Sequence, residues 1–394
     1  MIKSIQISGN AKYGGATYLM LEWCHYLLER GLEVDVLSTD KKMIRELQKI
    51  PGLNIIDSIF IPREIRLAKD IQAFAQLVSL LSKRKPDVVH TYTETPSFIG
   101  RIAARSAGIP VIVNHQGGWP VNPYSPIYQK VLYTPLEYLA SLASTKTICV
   151  SHAELELGRM LRIAPKRKMI TIVNGINPKP FIKASQNKCG KEMRLKLGFS
   201  DESLLIGSTC RLVAGKGIDN LIQAMAILKN LVKNIDCKLL LAGKGEDQAE
   251  LEYLVKFLGL EEDVHFLGFQ KKIPALLAAT DIFVLPTHSE GLSISLLEAM
   301  AAAKPIVATS IPANAEVIQH KLSGLLVPVK NPLSIAKAIA TFYNKPNFSK
   351  QCSVAARKRV AEYYTLERMF HETFELYTGL LKQKRSQKYC YPVL

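Results

Sequence analysis

Nowhere in its 394 residues does the chain offer the roughly 18 uninterrupted apolar residues that a membrane-spanning helix needs, because Lys304 and Pro305 interrupt the best candidate. The opening MIKSIQIS reads directly as a strand, so no export signal is expected there. The seven cysteines form no CxxC pair and no metal-ligand spacing with histidine, which argues for reduced thiols in a cytoplasmic protein and against a structural zinc. No GxGxxG fingerprint follows any predicted strand, so a dinucleotide cofactor is not expected. Basic residues interleaved with aromatic stacking positions are also missing, which sets aside a dedicated nucleic-acid module.

Charge of one sign is in excess. The chain carries 51 Lys and Arg against 34 Asp and Glu, a formal charge of +17. Residues 1–175 hold 22 basic and 14 acidic groups and the remainder 29 and 20, so the excess is spread over both halves. Anionic ligands and an anionic membrane surface are the partners that such a balance favours. Lys83–Lys85, Lys166–Lys168, Arg357–Arg359 and the tail Lys382, Lys384, Arg385 and Lys388 are the clusters that could face such a surface.

What is present is an alternation of short apolar runs with amphipathic stretches, in a chain long enough for two cores. The first half reads as strands at Lys3–Ser8, Val34–Thr39, Asp87–Thr91, Val111–Asn114 and Thr147–Ser151, with helices between, which predicts a parallel doubly wound sheet. After Met169–Val173 come Asn174, Gly175, Pro178 and Pro180, the punctuation of a hinge. A second alternation follows, with strands at Leu205–Cys210, Lys238–Leu241, Val264–Leu267, Ile282–Leu285 and Ile306–Ala308. Leu366, Met369, Phe370, Phe374, Tyr377 and Leu380 mark a final amphipathic helix.

The most informative segment runs from Asp281 to Glu316. There Ile282–Leu285 reads as a buried strand, Pro286–Leu292 as its exit loop and Ser293 onward as a helix, so Glu290 and Glu298 flank a helix start. The amides of Gly291, Leu292, Ser293 and Ile294 would then present the positive end of the helix dipole to an anion such as a diphosphate. Arg211 and Lys216 stand in the loop after Leu205–Cys210, where Gly215 and Gly217 allow close backbone approach. Arg211 can bind a phosphate in a bidentate way, and Lys216 acts as a point charge. Gly14 and Gly15 follow the first strand and Gly243 follows another, while Phe269 and Gln270 close a further strand-end loop. His115 ends its strand at the carboxyl edge of the first sheet; His90, one strand earlier, is its rival.

The Glu-x7-Glu spacing, together with RLVAGKG at 211–217, LLLAGKG at 239–245, VHFLGF at 264–269, EAMAAAKPIVAT at 298–309 and SGLLVP at 323–328, resembles the family-4 retaining glycosyltransferases of GT-B fold. The resemblance implies an α/β architecture of two Rossmann-like doubly wound domains facing a central cleft. Residues 1–175 would form the acceptor side and 186–360 the donor side, with the last helix, near 362–382, packing back on the first domain. It further implies Glu290 beside the donor sugar, Glu298 on the ribose hydroxyls, Arg211 and Lys216 on the diphosphate and His115 near the reacting carbon. Gly14, Gly15, Gly243, Phe269, Gln270 and the amides from Gly291 to Ile294 would complete the donor contacts.

The expected reaction moves a sugar, with retention, from a nucleotide sugar to a glycan or lipid-linked acceptor of surface polysaccharide assembly. A UDP-sugar is favoured over a GDP-sugar as the commoner donor. No metal is expected, since the Asp-x-Asp motif of metal-dependent glycosyltransferases of the other major fold is absent. The rival reading is a nucleotide-sugar-binding protein without turnover. One departure stands out: Ile311–Asn314 replaces the glycine pair that many relatives carry before Glu316, which leaves the contacts of that loop open.

Overall fold

A computed structural model describes residues 1–10, 14–62, 66–92, 94–122, 125–232 and 235–390, with backbone alone at 16, 94 and 387–390. The side chain of Lys388 and the middle of the Gly9–Ala16 loop therefore lie outside the described residues. The chain divides into two compact units, Met1–Val173 with Met369–Leu394, and Asn174–Arg368.

In the first unit, seven parallel strands form one sheet: β1 (Lys3–Gly9), β2 (Glu33–Ser38), β3 (Asn54–Ile56), β4 (Val88–Tyr92), β5 (Val111–Gln116), β6 (Lys146–Cys149) and β7 (Met169–Thr171). Their spatial order is β3-β2-β1-β4-β5-β6-β7. Helices cover both faces, so the strands need no polar side and read as nearly continuous apolar runs. Ile5, Ile7, Leu37, Val89 and Ile112 from the strands meet Leu77 and Leu81 from helix Leu67–Arg84 in one core. The three residues of β3 lack any run long enough to announce a strand, and the predicted strand Thr147–Ser151 ends early. Ser151 instead caps helix His152–Met160, its hydroxyl accepting from the Glu154 amide at 3.0 Å.

Helix Leu366–Cys390 closes this unit. Its Phe370 and Tyr377 rings lie 5.3 and 5.5 Å from Trp23, and the Tyr377 hydroxyl is 2.6 Å from His90 Nδ1. Helix Ile127–Ala143 is held differently. Its Glu137 takes a bidentate grip, at 2.7 and 3.0 Å, from Arg101, a guanidinium only 1 % exposed.

The second unit repeats the plan with β8 (Leu204–Thr209), β9 (Cys237–Ala242), β10 (Val264–Gly268), β11 (Ile282–Leu285), β12 (Ile306–Thr309) and β13 (Leu325–Val327). The order β10-β9-β8-β11-β12-β13, all parallel, makes β8 and β11 neighbours at the point where the winding reverses. Loops leaving two such strands diverge to opposite faces and open a crevice at the carboxyl edge. The unit begins at Asn174–Gly175, where a Cβ on Gly175 would lie 2.2 Å from the Thr365 carbonyl oxygen. Only glycine lets Ile176 bridge to Thr365 there.

Candidate active site

Of the residues that the sequence singled out, Arg211 and Lys216 follow β8 while Glu290 and Glu298 follow β11, the two strands at the winding reversal. The loop after β8 runs through Arg211 to Gly217 and is pinned to the exit of β11 by the His288 amide on the Gly215 carbonyl, 2.8 Å, and by the Thr287 hydroxyl on the same oxygen, 3.2 Å. Gly217 has φ +67°, and a Cβ there would sit 2.1 Å from the Pro286 carbonyl oxygen. Glycine is thus what allows the two loops to touch. The contact sets Lys216 Nζ 2.5 Å from Glu290 Oε1, with side chains 16 and 17 % exposed. The neighbouring Cys210 thiol is raised to about 11 by burial, and Lys216, Glu290 and Arg211 all act on it electrostatically, which puts the three charged groups in one neighbourhood. Arg211 is exposed and has no partner among the described residues.

After β11 the helix Ile294–Ala301 starts at Ser293, whose hydroxyl accepts from the Leu296 amide at 3.4 Å. The first bond within the helix is Leu297 N–H to Ser293 C=O, 3.3 Å, which leaves the Ile294 and Ser295 amides without an acceptor among the described residues, in the segment that follows Glu290. Such an end attracts negative charge.

One turn further on, the Glu298 carboxyl has no partner among the described residues, and burial raises it from 4.5 to about 8. It is therefore largely protonated at neutral pH and can donate as well as accept. Between about 4.5 and 8 the native state holds a proton that the unfolded chain has lost, so stability falls as pH rises through that window. Glu298→Gln should remove this fall. Its melting temperature relative to wild type should grow by at least about 3 °C between the two ends of the window, as for roughly 1 kcal/mol. A constant difference across the pH series would mean that the carboxyl ionises normally.

The other candidates line neighbouring strand ends. Gly243, after β9, is packed so that a Cβ would lie 1.8 Å from the Cys210 carbonyl oxygen, and its amide donates to Gly268 C=O at 2.9 Å. Its role in the structure is to knit three loops together. Gln270 turns its side chain back on its own loop, donating to Leu267 C=O at 2.6 Å, while Phe269 is exposed. In the departing segment Ile311–Asn314, Asn314 is buried and donates to the Thr309 carbonyl at 2.9 Å. That side chain secures the start of helix Pro312–Val317.

In the first unit the Gly14 amide donates to the Thr17 hydroxyl at 2.7 Å, so it is used in starting helix Gly15–Glu29. His90 and His115 separate by environment. His90 lies against Tyr92 and Tyr377, and burial first, then His115, holds its imidazole well below the usual value, as befits a neutral core residue. His115 ends near the edge of β5, its ring centroid 5.5 Å from that of Tyr92. What sequence reasoning missed is the direct pairing of Lys216 with Glu290. The residues are 74 positions apart, and only the adjacency of β8 and β11 brings them together.

Comparison with known proteins bears on the family and the fold. Residues 13–179 match the family described as Glycosyltransferase Family 4, and residues 191–359 match Glycosyl transferases group 1. The chain is 26 % identical over 339 residues to UDP-Gal:alpha-D-GlcNAc-diphosphoundecaprenol alpha-1,3-galactosyltransferase of Escherichia coli, covering 84 % of this chain and 85 % of that protein. It is 25 % identical to the capsular polysaccharide biosynthesis glycosyltransferase CapM of Staphylococcus aureus, covering 94 and 96 %. Among solved structures, Anabaena Alr3699/HepE in complex with UDP and glucose superposes with a TM-score of 0.82 at 21 % identity, over 96 % of this chain and 100 % of that one. Two matches that adjoin across nearly the whole length, and two parallel sheets wound as GT-B enzymes wind them, establish that the chain belongs to glycosyltransferase family 4.

Proposed function

We propose that the protein is a retaining glycosyltransferase that moves a hexose from a nucleotide sugar, a UDP-sugar in preference to a GDP-sugar, to a glycan or lipid-linked acceptor. The observation that carries the reading is the Lys216–Glu290 pair, 2.5 Å long, at the winding reversal of the second sheet and next to an open helix N-terminus. As the bond to the anomeric carbon breaks, negative charge builds on the departing nucleoside diphosphate, and fixed positive groups aimed at it lower the barrier. Arg211, Lys216 and the amides at the start of helix Ile294–Ala301 are such groups. An arriving diphosphate replaces Glu290 as the partner of Lys216 and releases that carboxylate toward the hydroxyls of the donor sugar. Glu298, uncharged, holds the ribose diol. Retention follows from attack on the face that the leaving group vacates, with a donor phosphate oxygen receiving the acceptor proton. The names of the E. coli and S. aureus relatives support an acceptor of the polysaccharide or lipid-diphosphate class.

Thermal shift with UDP, GDP and their common sugar conjugates tests the donor site. A matched ligand at a hundred times its Kd should stabilise wild type by about 2.7 kcal/mol. Glu298→Ala should lose most of that gain. Anomeric NMR of the product then reads retention directly. Stabilisation without donor hydrolysis or transfer would identify a binding protein, and no stabilisation by any nucleotide would end the proposal.

A further inference from the structure

Helix Ile127–Ala143 is turned inside out relative to an ordinary surface helix. Its polar anchor, Glu137, points inward to the buried Arg101, and Ala140 and Ser141 are buried beside it. Ile127, Tyr128, Val131, Leu132, Leu139 and Leu142, by contrast, are between 43 and 75 % exposed. At 100° per residue these six fall within an arc of about 140°, with Tyr138 and Pro135 inside it and no charge among them. The helix carries two charged residues, Lys130 and Glu137, and both lie outside that arc. A continuous apolar stripe of this length on water is the mark of an interaction surface.

Positive charge lies where the stripe ends. Lys168 Nζ donates to the carbonyl of Leu142 and, at 2.7 Å, to that of Ser144, while Lys146 Nζ donates to the Arg167 carbonyl at 2.7 Å. Burial, then the charges of Arg105, Arg167 and Lys384, press the Lys168 ammonium below its usual value, and no carboxylate is among the groups acting on it. Three segments distant in sequence thus deliver cations to one end of the apolar stripe.

We propose that the outward face of helix Ile127–Ala143, with the adjoining cluster of Lys146, Arg167, Lys168 and Lys384, is a lipid-docking surface that seats the protein on an anionic membrane. The apolar side chains enter the headgroup–acyl boundary and the cations lie over anionic headgroups, the two signals that stable interfacial binding needs. Charge complementarity selects this occupant. A second copy of the chain would bring a like cluster of cations to a dry contact, whereas an anionic leaflet supplies the counter-charge.

The proposal stands apart from the transferase reading, since partition onto lipid needs no donor. Flotation of the full chain with vesicles of phosphatidylcholine, and of phosphatidylcholine mixed equally with phosphatidylglycerol, tests it. Wild type should float with the mixed vesicles and not with the neutral ones, and should detach as salt is raised. Val131→Asp with Leu139→Asp, and separately Arg167→Glu with Lys384→Glu, should each weaken partition at least about ten-fold. Both pairs should keep the wild-type melting temperature and nucleotide-induced shift, because the altered side chains point into water. Equal partition of wild type and the aspartate pair would overturn the proposal. So would indifference to phosphatidylglycerol, or a concentration-dependent dimer that the aspartate pair dissolves while vesicles recruit nothing.

Discussion

Alanine at Lys216 should lower sugar transfer about a hundred- to a thousand-fold, with a smaller effect on apparent donor affinity. The ammonium, held 2.5 Å from Glu290 without ligand, exchanges that partner for the diphosphate on binding, so it is already seated when charge appears on the leaving group. Fixed cations count most at that step. A double-mutant cycle with Glu290→Ala separates catalysis from folding. Lys216→Ala leaves a carboxylate mostly withdrawn from water and without its partner, and so should lower the melting temperature. Removing both groups should restore much of the stability and none of the turnover. If the double variant regains transfer, or if Lys216→Ala alone retains more than about a tenth of wild-type kcat, Lys216 does not stabilise the leaving group.

The second large effect belongs to a residue with no side chain. Gly217→Ala should cost on the order of 3 kcal/mol, lowering the midpoint of its unit by about 6–12 °C. Two penalties combine there. The φ of +67° is disfavoured for any residue with a Cβ, and the Cβ itself would fall 2.1 Å from the Pro286 carbonyl oxygen, which belongs to backbone and cannot rotate away. Gly198→Ala is the matched control: φ is +80°, yet nothing lies within 4 Å of its Cβ. It should lose only the conformational part, about 1–2 kcal/mol. Equal losses at the two glycines, read by thermal melts, would show that the two loops can separate without cost. Because Gly217 positions Lys216, turnover should fall with stability at the first position and hold at the second.

The architecture was open to reading from the amino acids because a parallel sheet covered on both faces forces apolar runs. Leu204–Thr209 and Ile282–Leu285 announce themselves as buried strands, and their exit loops must lie at the same edge. Asn54–Ile56 and Leu325–Val327 were harder, being three-residue strands that pairing with a neighbour creates. The site separates in the same way. Glu290, Glu298, Arg211 and Lys216 were legible as residue types at strand ends. The ion pair between two of them depends on strand order, which no local pattern encodes. Gly14 shows the opposite limit, since its amide turned out to serve Thr17. The outward turn of helix Ile127–Ala143 is not legible in the sequence, because periodicity reveals that a helix has an apolar face without saying which way that face turns. The buried Arg101 that decides it lies 36 residues from Glu137.

The path of the chain through its two units bears on the order in which they mature. Unit 1 is split, its sheet coming from Met1–Val173 and the cover for Trp23, Tyr26 and His90 from residues after Met369. Synthesis on the ribosome ordinarily lets the first-made domain fold first. Here the intervening unit, Asn174–Arg368, is the one whose whole sequence emerges as a single block. The N-terminal sheet keeps its aromatic seam open until helix Leu366–Cys390, which is made after the whole of the second unit, can dock, so a segment distant in sequence governs the completion of the part that was made first.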